Sequence, residues 1–188
     1  MDVIFLIDGS TSMGTTEFFK ALDYVRHTIR GLSIGPEDVQ VAVAVFHGHR
    51  IVGQLSLNEG QTYEATAAVL SQLEFPGGPS NMGFALEKLR TTILKRGNGA
   101  RDNVPKAIVL LTNGEVPAKH MDSARLQIQL LHKMNIRVYP MLTITDPKDV
   151  NDDAMSIMSF PHKVSNYSMH RNVSASVQSM LATLVEGK

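Results

Sequence analysis

Short apolar runs alternate with longer segments of helical period along this chain. The runs are rich in β-branched residues and apolar almost throughout, which is typical of strands covered on both faces. They predict strands at residues 3–7, 39–46, 107–111 and 136–139. Pro140 lies near the end of the last run, where a strand tolerates proline. After the tight connection His47-Gly48-His49, residues 51–55 predict a short antiparallel return strand at the sheet edge.

The segments between the runs carry apolar residues at steps of three and four, which predicts amphipathic helices. These helices are expected at residues 18–32, 64–73, 81–94 and 124–134, with Asp122-Ser123 capping the last one. A weaker helix at 149–158, a short strand at 163–166 and a final helix at 173–184 complete the pattern. Such alternation predicts an α/β fold with a doubly wound, mainly parallel open sheet, one antiparallel edge strand and helices on both faces. We expect one domain over residues 1–188.

Composition removes several classes of function. The chain has 188 residues and no cysteine, which excludes a disulfide scaffold, a thiolate zinc site and a cysteine nucleophile. Its 18 basic and 18 acidic side chains argue against nucleic acid or an anionic membrane as partner. No apolar run approaches the roughly 20 residues of a membrane span, so membrane insertion is not expected. We expect no signal peptide before Met1, because strand sequence begins at once, as in an excised domain.

The turn after the first apolar run carries the first candidate chemistry. Asp8, Ser10 and Ser12 alternate along it and can all face one point above the sheet edge. Hard divalent cations such as Mg²⁺ prefer oxygen ligands, and a carboxylate must supply most of the charge because hydroxyls bind such an ion weakly. In an open α/β sheet, this end of the strands is where ligands bind.

Three other interpretations of this turn stay open on its residues alone. Gly9 and Gly14 have the spacing of a phosphate-binding loop, but Thr15 stands where that loop needs its lysine. An aspartyl-phosphate enzyme would use Asp8, yet Ser10 replaces the second carboxylate that acts as its general acid. The simplest alternative is an Asp and Ser pair that caps the next helix.

Two further loops extend the pattern. Residues 77–86 read Gly-Gly-Pro-Ser-Asn-Met-Gly-Phe-Ala-Leu, and residues 112–115 read Thr-Asn-Gly-Glu after a buried run. With the Asp-x-Ser-x-Ser turn, these loops closely resemble the von Willebrand factor type A family, whose metal-ion-dependent adhesion site draws on three loops. The resemblance covers essentially the whole chain. It places the second-loop threonine of the family on Ser80 and its third-loop aspartate on Asn113.

The resemblance implies a site for Mg²⁺, or Mn²⁺ or Ca²⁺, made by Asp8, Ser10, Ser12, Ser80 and Asn113. Serine at position 80 keeps the hydroxyl of the family threonine. Asparagine at position 113 removes a negative charge, and losing one charge–dication attraction costs about a few kcal/mol in partly desolvated surroundings. Glu115, two residues on, is a candidate for compensating that loss. We therefore expect either a weakened metal site or a vestigial one.

The sequences of the strands and loops are most similar to those of matrix A domains, such as the A domains of collagen VI, the matrilins and related invertebrate matrix proteins. This resemblance implies a non-enzymatic, secreted adhesion module of the extracellular matrix, with collagen or another matrix protein as partner. The alternative is a metal-independent structural domain that self-associates in a fibrous or mineralised matrix. An enzyme using Asp8 for phosphoryl transfer lacks acid–base partners, and an intracellular scaffold would suit the absence of cysteine.

Two N-glycosylation sequons bear on the choice between these locations. Asn166-Tyr167-Ser168 and Asn172-Val173-Ser174 lie six residues apart near the end of the chain. Asn166 and Asn172 would become surface sugar sites in a secreted protein. Glycan at either position in a secretory host would argue against an intracellular scaffold.

Overall fold

A single five-stranded sheet organises the part of the protein that the computed structural model describes, residues 1–143. Its strands are β1 (Asp2–Asp8), β2 (Gln40–His47), β3 (Arg50–Leu55), β4 (Lys106–Thr112) and β5 (Ile136–Leu142). Their spatial order is β3-β2-β1-β4-β5, and every neighbouring pair is parallel except β2 with β3. The predicted α/β fold and its antiparallel edge strand are therefore confirmed.

Four α-helices accompany these strands in residues 1–143. They are α1 (Thr15–Arg30), α2 (Tyr63–Gln72), α3 (Met82–Lys88) and α4 (Ala118–Lys133). A π-helical turn, Leu89–Ile93, extends α3, and a short 3₁₀ turn covers Arg96–Asn98. None of the helices in this part of the chain is long and apolar enough to cross a membrane. The elements predicted beyond residue 143 lie outside the described residues.

The sheet separates two apolar cores, and β1 contributes to both. Ile4 and Leu6 pack into the core that contains α3 and α4. Val3, Phe5 and Ile7 pack into the opposite core with α1 and α2. Successive side chains of a strand point to opposite faces, so a central strand covered on both sides must be apolar at every position. All five residues are fully buried, which is why this run carries no polar alternation.

The order of the strands reverses beside β1. The chain leaves β1 for β2 and β3 on one side and then crosses to β4 and β5 on the other. Strands β1 and β4 run parallel in register, with Ile7 opposite Leu111. Their carboxyl ends, at Asp8 and Thr112, therefore lie together at the switch point where open α/β sheets bind ligands.

The predicted start of α4 is wrong. The helix begins at Ala118, after Pro117, so Asp122 and Ser123 lie inside it rather than capping it. Ser123 instead packs against Gly83 of α3, where a Cβ on the glycine would come within 2.4 Å of the serine Oγ. The small side chain at 123 serves this close approach of the two helices.

Two smaller expectations also needed correction. The segment 81–94, predicted as one helix, is α-helical only to Lys88 and then changes to the π-helical turn. The last described strand is longer than predicted and runs to Leu142, so Pro140 lies within β5, opposite Leu110 of β4. Among the described residues, β4 is the only neighbour of β5.

Candidate metal centre

Three loops meet above the carboxyl ends of β1 and β4. The first loop (residues 9–14) and the second loop (residues 73–81) are joined by a pair of hydrogen bonds. In one, the Thr11 backbone N–H donates to the Gly78 carbonyl at 2.7 Å; in the other, the Gly78 N–H donates to Thr11 Oγ1 at 2.7 Å. The third loop (residues 113–117) joins the first through Asn113, whose Nδ2 donates to the Ser12 carbonyl at 2.9 Å. The topology thus brings together loops about 70 and 100 residues apart in sequence.

Asp8 is the centre of this assembly, at the last position of β1. Its side chain is completely buried. The Ser10 backbone N–H donates to Oδ1 at 2.9 Å, and Thr112 Oγ1 donates to Oδ2 at 3.1 Å. Ser80 Oγ lies 3.5 Å from the same Oδ2, a long hydrogen bond. All of these donors are neutral.

The carboxylate of Asp8 therefore lacks a counter-charge from the described part of the chain, in which no lysine, arginine or histidine forms an ion pair with it. Burial raises the pKa of Asp8, and the hydrogen bonds from Ser10, Thr112 and Ser80 oppose that rise. A buried carboxylate without a cation is unfavourable, because desolvation of its charge is only partly offset by neutral donors. A cation placed beside Asp8 would offset this cost.

The hydroxyls around Asp8 complete a set of oxygen donors. Ser10 Oγ and Ser12 Oγ are 3.1 Å apart, with Ser10 buried and Ser12 exposed, and Ser80 approaches from the second loop. One carboxylate and three hydroxyls fit a hard divalent ion that keeps several waters. Among residues 1–143, no group of three or more histidine, cysteine, aspartate and glutamate side chains could hold a metal. A metal at Asp8 would thus depend on hydroxyls and water.

Asn113 is placed differently from the four other predicted ligands. Besides the bond from its Nδ2 to the Ser12 carbonyl, its Oδ1 accepts from the Glu115 backbone N–H at 3.0 Å. Both ends of the amide are thus used to tie the third loop to itself and to the first loop. Its role toward an ion stays a prediction. Glu115, the candidate for compensation, is exposed beside it.

Thr112 is a further residue of the site that the sequence motifs did not identify. Its fully buried hydroxyl donates to Asp8 and accepts from the Gly114 backbone N–H at 3.2 Å. The available signal was its position: a hydroxyl at the end of a buried strand, next to the strand that ends in Asp8. Thr112 orients the carboxylate, because its one hydroxyl proton is directed to Asp8 Oδ2 while its oxygen closes the turn of the third loop.

The β2–β3 hairpin supports the second loop from outside. Asn81, directly after Ser80, caps α3 by accepting from the Phe84 backbone N–H, and its Nδ2 lies 3.1 Å from His49 Nε2. The His49 ring also packs edge-on against Phe84. His49 thus contacts both the cap and the first turn of α3.

Comparison with known proteins agrees with the arrangement of the three loops. The family model for the von Willebrand factor type A domain matches residues 2–183. The chain belongs to this family. A region of the mouse collagen alpha-1(XX) chain is 30% identical over 158 residues, covering 84% of this chain and 11% of that protein. Mouse von Willebrand factor A domain-containing protein 2 is 26% identical over 155 residues, covering 79% of this chain and 20% of that protein.

Other relatives and solved structures extend this pattern. Chicken integrin alpha-1 is 30% identical over 128 residues, covering 68% of this chain and 42% of that protein. The manganese-loaded TRAP protein of Plasmodium vivax superposes with a TM-score of 0.74 at 19% identity, covering 95% of this chain and 70% of that one. Proximal thread matrix protein 1 of the mussel byssus, with zinc in its metal-ion-dependent adhesion site (MIDAS) motif, superposes with a TM-score of 0.74 at 16% identity. The match covers 98% of this chain and 45% of that one. At identities of 19% and 16%, these two structures are evidence of a shared fold alone.

Most of the relatives named above, among them a collagen chain and an integrin, are matrix or adhesion proteins rather than enzymes. The chain spans only 11% and 20% of the first two, so it corresponds to one part of each. Family membership thus accounts for the sheet, the three loops and their order along the chain.

Proposed function

We propose that this chain is a secreted adhesion module of the extracellular matrix that binds a matrix protein on its three-loop face. Collagen is among the candidate partners, because collagen chains and an integrin contain related domains. The proposal includes no catalytic step. One observation supports the binding face above all: the completely buried carboxylate of Asp8 is surrounded by neutral donors alone.

In this proposal, a divalent ion (Mg²⁺, Mn²⁺ or Ca²⁺) is held by Asp8, Ser10, Ser12 and Ser80. When bound, the ion supplies positive charge and open coordination positions to an anionic group of the partner. Asp8 provides the protein charge, and Thr112 with the Ser10 backbone N–H keeps its carboxylate oriented. The manganese-loaded and zinc-occupied relatives support a divalent ion as the metal class.

Asn113 makes this site weaker than one with two carboxylates. A neutral amide at the third-loop position leaves Asp8 as the only charged side chain of the five predicted ligands. Because affinity for a hard dication depends strongly on the number of ligand charges, we expect binding in the millimolar range of free ion.

A second candidate function is a metal-independent structural or self-associating domain of a fibrous or mineralised matrix. The hydrogen bonds of Asn113 favour it, since they join the first and third loops without any ion. In this alternative the loop face is held together by protein contacts alone. Association would then be insensitive to chelators and to substitution of Asp8.

Calorimetric titration of metal-stripped protein with Mg²⁺, Mn²⁺ and Ca²⁺ tests the ion site. Wild type should bind one ion, Asp8→Asn should not, and Asn113→Asp should bind at least about tenfold more tightly, which corresponds to roughly 1.4 kcal/mol. Asn103→Asp is the matched control, because it makes the same chemical change at an exposed residue near the opposite end of β4. It should bind like wild type.

The outcomes separate the two functions. If wild type binds no ion up to several millimolar while Asn113→Asp does, the natural site is vestigial and the structural alternative gains support. Binding to immobilised collagen, with and without chelator, then tests the partner. Loss of that binding in both chelator and Asp8→Asn supports adhesion through the ion.

Glycosylation of the two sequons can be tested in a secretory host. Expression with a secretory leader should give a protein whose mobility shifts on enzymatic removal of N-glycans, and the shift should disappear in Asn166→Gln/Asn172→Gln. An unglycosylated secreted product would contradict the prediction for the two sequons. Their location in the chain is beyond the described residues.

A further inference from the structure

A groove of about 650 Å³ opens beside the candidate metal centre. Thr11 and Ser12 of the first loop and Ser80 of the second contribute hydroxyls to its lining. The third loop and the start of α4 contribute Glu115 and Lys119. A partner that reaches the hydroxyls around Asp8 through this groove also meets these two charged side chains.

Lys119 is the unusual member of this lining. It lies in the first turn of α4, where the helix dipole disfavours a positive charge, so it does not stabilise its own helix end. Its side chain belongs to an exposed residue, and none of the ion pairs among residues 1–143 includes it. The pKa of the adjacent His120 is lowered mainly by burial and secondly by the positive charge of Lys119. The charge of Lys119 therefore acts on the residues around it.

The charge balance of the groove favours an anionic occupant. Asp8 offsets one of the two charges of a bound dication, and Asn113 contributes none. Lys119 adds a second positive charge to the groove, because among the described residues it forms no ion pair with Glu115. Charge complementarity between surfaces increases association rates and excludes partners of the wrong sign.

We propose that this groove binds an acidic peptide segment through two carboxylates, one at the ion held by Asp8 and a second at Lys119. This inference rests on the proposed function and adds a specificity-determining residue to it. Lys119 selects partners that carry a second acidic side chain near the first. It acts on the partner and leaves the affinity for the ion itself almost unchanged.

Selection from a displayed library of random twelve-residue peptides, in saturating Mg²⁺, tests the inference. Wild type should select peptides with two closely spaced acidic residues. Lys119→Gln should select peptides in which one acidic residue is enough for binding. For a selected peptide, Lys119→Gln should weaken binding about fivefold, as expected for a partly exposed charge pair. Replacing the second acidic residue of the peptide by its amide should abolish this difference.

Lys133→Gln is the matched control. It makes the same change of charge on α4, at an exposed residue about 21 Å along the helix from Lys119. It should bind the selected peptide like wild type, and all three proteins should bind Mg²⁺ with affinities within about twofold by calorimetry.

Failure of the inference and failure of the proposed function give different results. If selected peptides bind in a Mg²⁺-dependent manner but equally well to wild type and Lys119→Gln, the role of Lys119 is wrong and the ion-dependent face stands. The same holds if one acidic residue suffices for wild type. If Mg²⁺ binds but no Mg²⁺-dependent peptide is selected, the inference is overturned and only the ion site of the proposed function stands. If the protein binds no ion, both are overturned.

Discussion

Strand β1 carries a buried carboxylate at each end, and the two ends are built differently. Asp2 and Asp8 flank the same apolar run, and both side chains are completely buried. In sequence they look alike. They differ in what the rest of the fold brings to them, and this difference separates a structural carboxylate from a candidate ligand.

Asp2 is matched by cations of the protein itself. Arg101 Nε donates to Oδ1 at 2.9 Å, and the Arg101 backbone N–H donates to Oδ2 at 3.0 Å. Lys106 Nζ lies 3.9 Å from Oδ2. The Arg101 guanidinium also donates to the backbone carbonyls of Met1, Pro36 and Asp38. It therefore joins the start of β1 to the segment that precedes β2.

Asp8 receives only an amide and hydroxyls. A carboxylate that the chain has already neutralised can do little except hold the fold together. A carboxylate that has only neutral donors, at the point where the strand order reverses, is available to an external cation. Burial alone therefore does not identify a functional acid, whereas the charge of its neighbours does.

Removing the ion pair between Asp2 and Arg101 should have the largest effect on stability. Arg101→Gln leaves Asp2 buried with only the more distant Lys106, and we expect the free energy of unfolding to fall by about 3 kcal/mol. Urea denaturation measures this. The control is Arg96→Gln, whose ion pair with Asp102 is largely exposed and should contribute less than about 1 kcal/mol. Equal losses in the two variants would contradict the structural role of Asp2.

Thr112→Val tests the orientation of the other carboxylate. It removes the donor to Asp8 and the acceptor for Gly114 at nearly constant volume, so stability should fall by about 1–2 kcal/mol. Calorimetry should also show weaker Mg²⁺ binding. Thr28→Val makes the same change at a buried threonine that bonds the Tyr24 carbonyl within α1. An effect of Thr28→Val on Mg²⁺ affinity would show that the assay reports stability alone.

Asp8→Asn should change stability in the direction opposite to Asp2→Asn. In chelator, removing an unpaired buried charge should raise the free energy of unfolding by about 1 kcal/mol, whereas Asp2→Asn should lower it because Arg101 loses its partner. Added Mg²⁺ should stabilise wild type by about 1.4 kcal/mol at ten times the dissociation constant and leave Asp8→Asn unchanged. Destabilisation by Asp8→Asn in chelator would remove the contrast between the ends.

The smallest expected effect is the pH dependence of metal-free stability. Burial raises the pKa of Asp8 above its ordinary value of 3.8, so the folded state binds more protons than the unfolded state between the two pKa values. The free energy of unfolding of wild type, relative to Asp8→Asn, should therefore rise as pH falls through the folded pKa and level off below 3.8. Urea denaturation in chelator from about pH 7 to about pH 3 measures this difference. A difference that is flat or declines with acidification would contradict it.

Much of the fold could be predicted from the sequence because strand burial imposes its own pattern. The fully apolar runs of β1, β2 and β4 reflect coverage on both faces, and the less apolar β3 reflects its edge position. Local propensity was less reliable at helix ends. Ser123 has the chemistry of a cap, but it lies inside α4 and packs against Gly83 of α3.

The candidate site was predictable where one short motif contains it. Asp8, Ser10 and Ser12 follow one another after β1, and family resemblance added Ser80 and Asn113. Thr112 was missed because its role depends on β4 pairing in register beside β1. The hydrogen bonds of Asn113 to Ser12 and Glu115 were also invisible, since they depend on how the third loop closes.

The sequence by itself determined the alternation of strands and helices, and hence the sheet edge at which polar residues collect. This follows because hydrophobic periodicity is a local consequence of burial. Only the tertiary structure decided that Arg101, far along the chain, neutralises Asp2 while Asp8 receives no cation from the described residues. Charge neutralisation depends on distance in space, and chain connectivity places those distances beyond the reach of any local pattern.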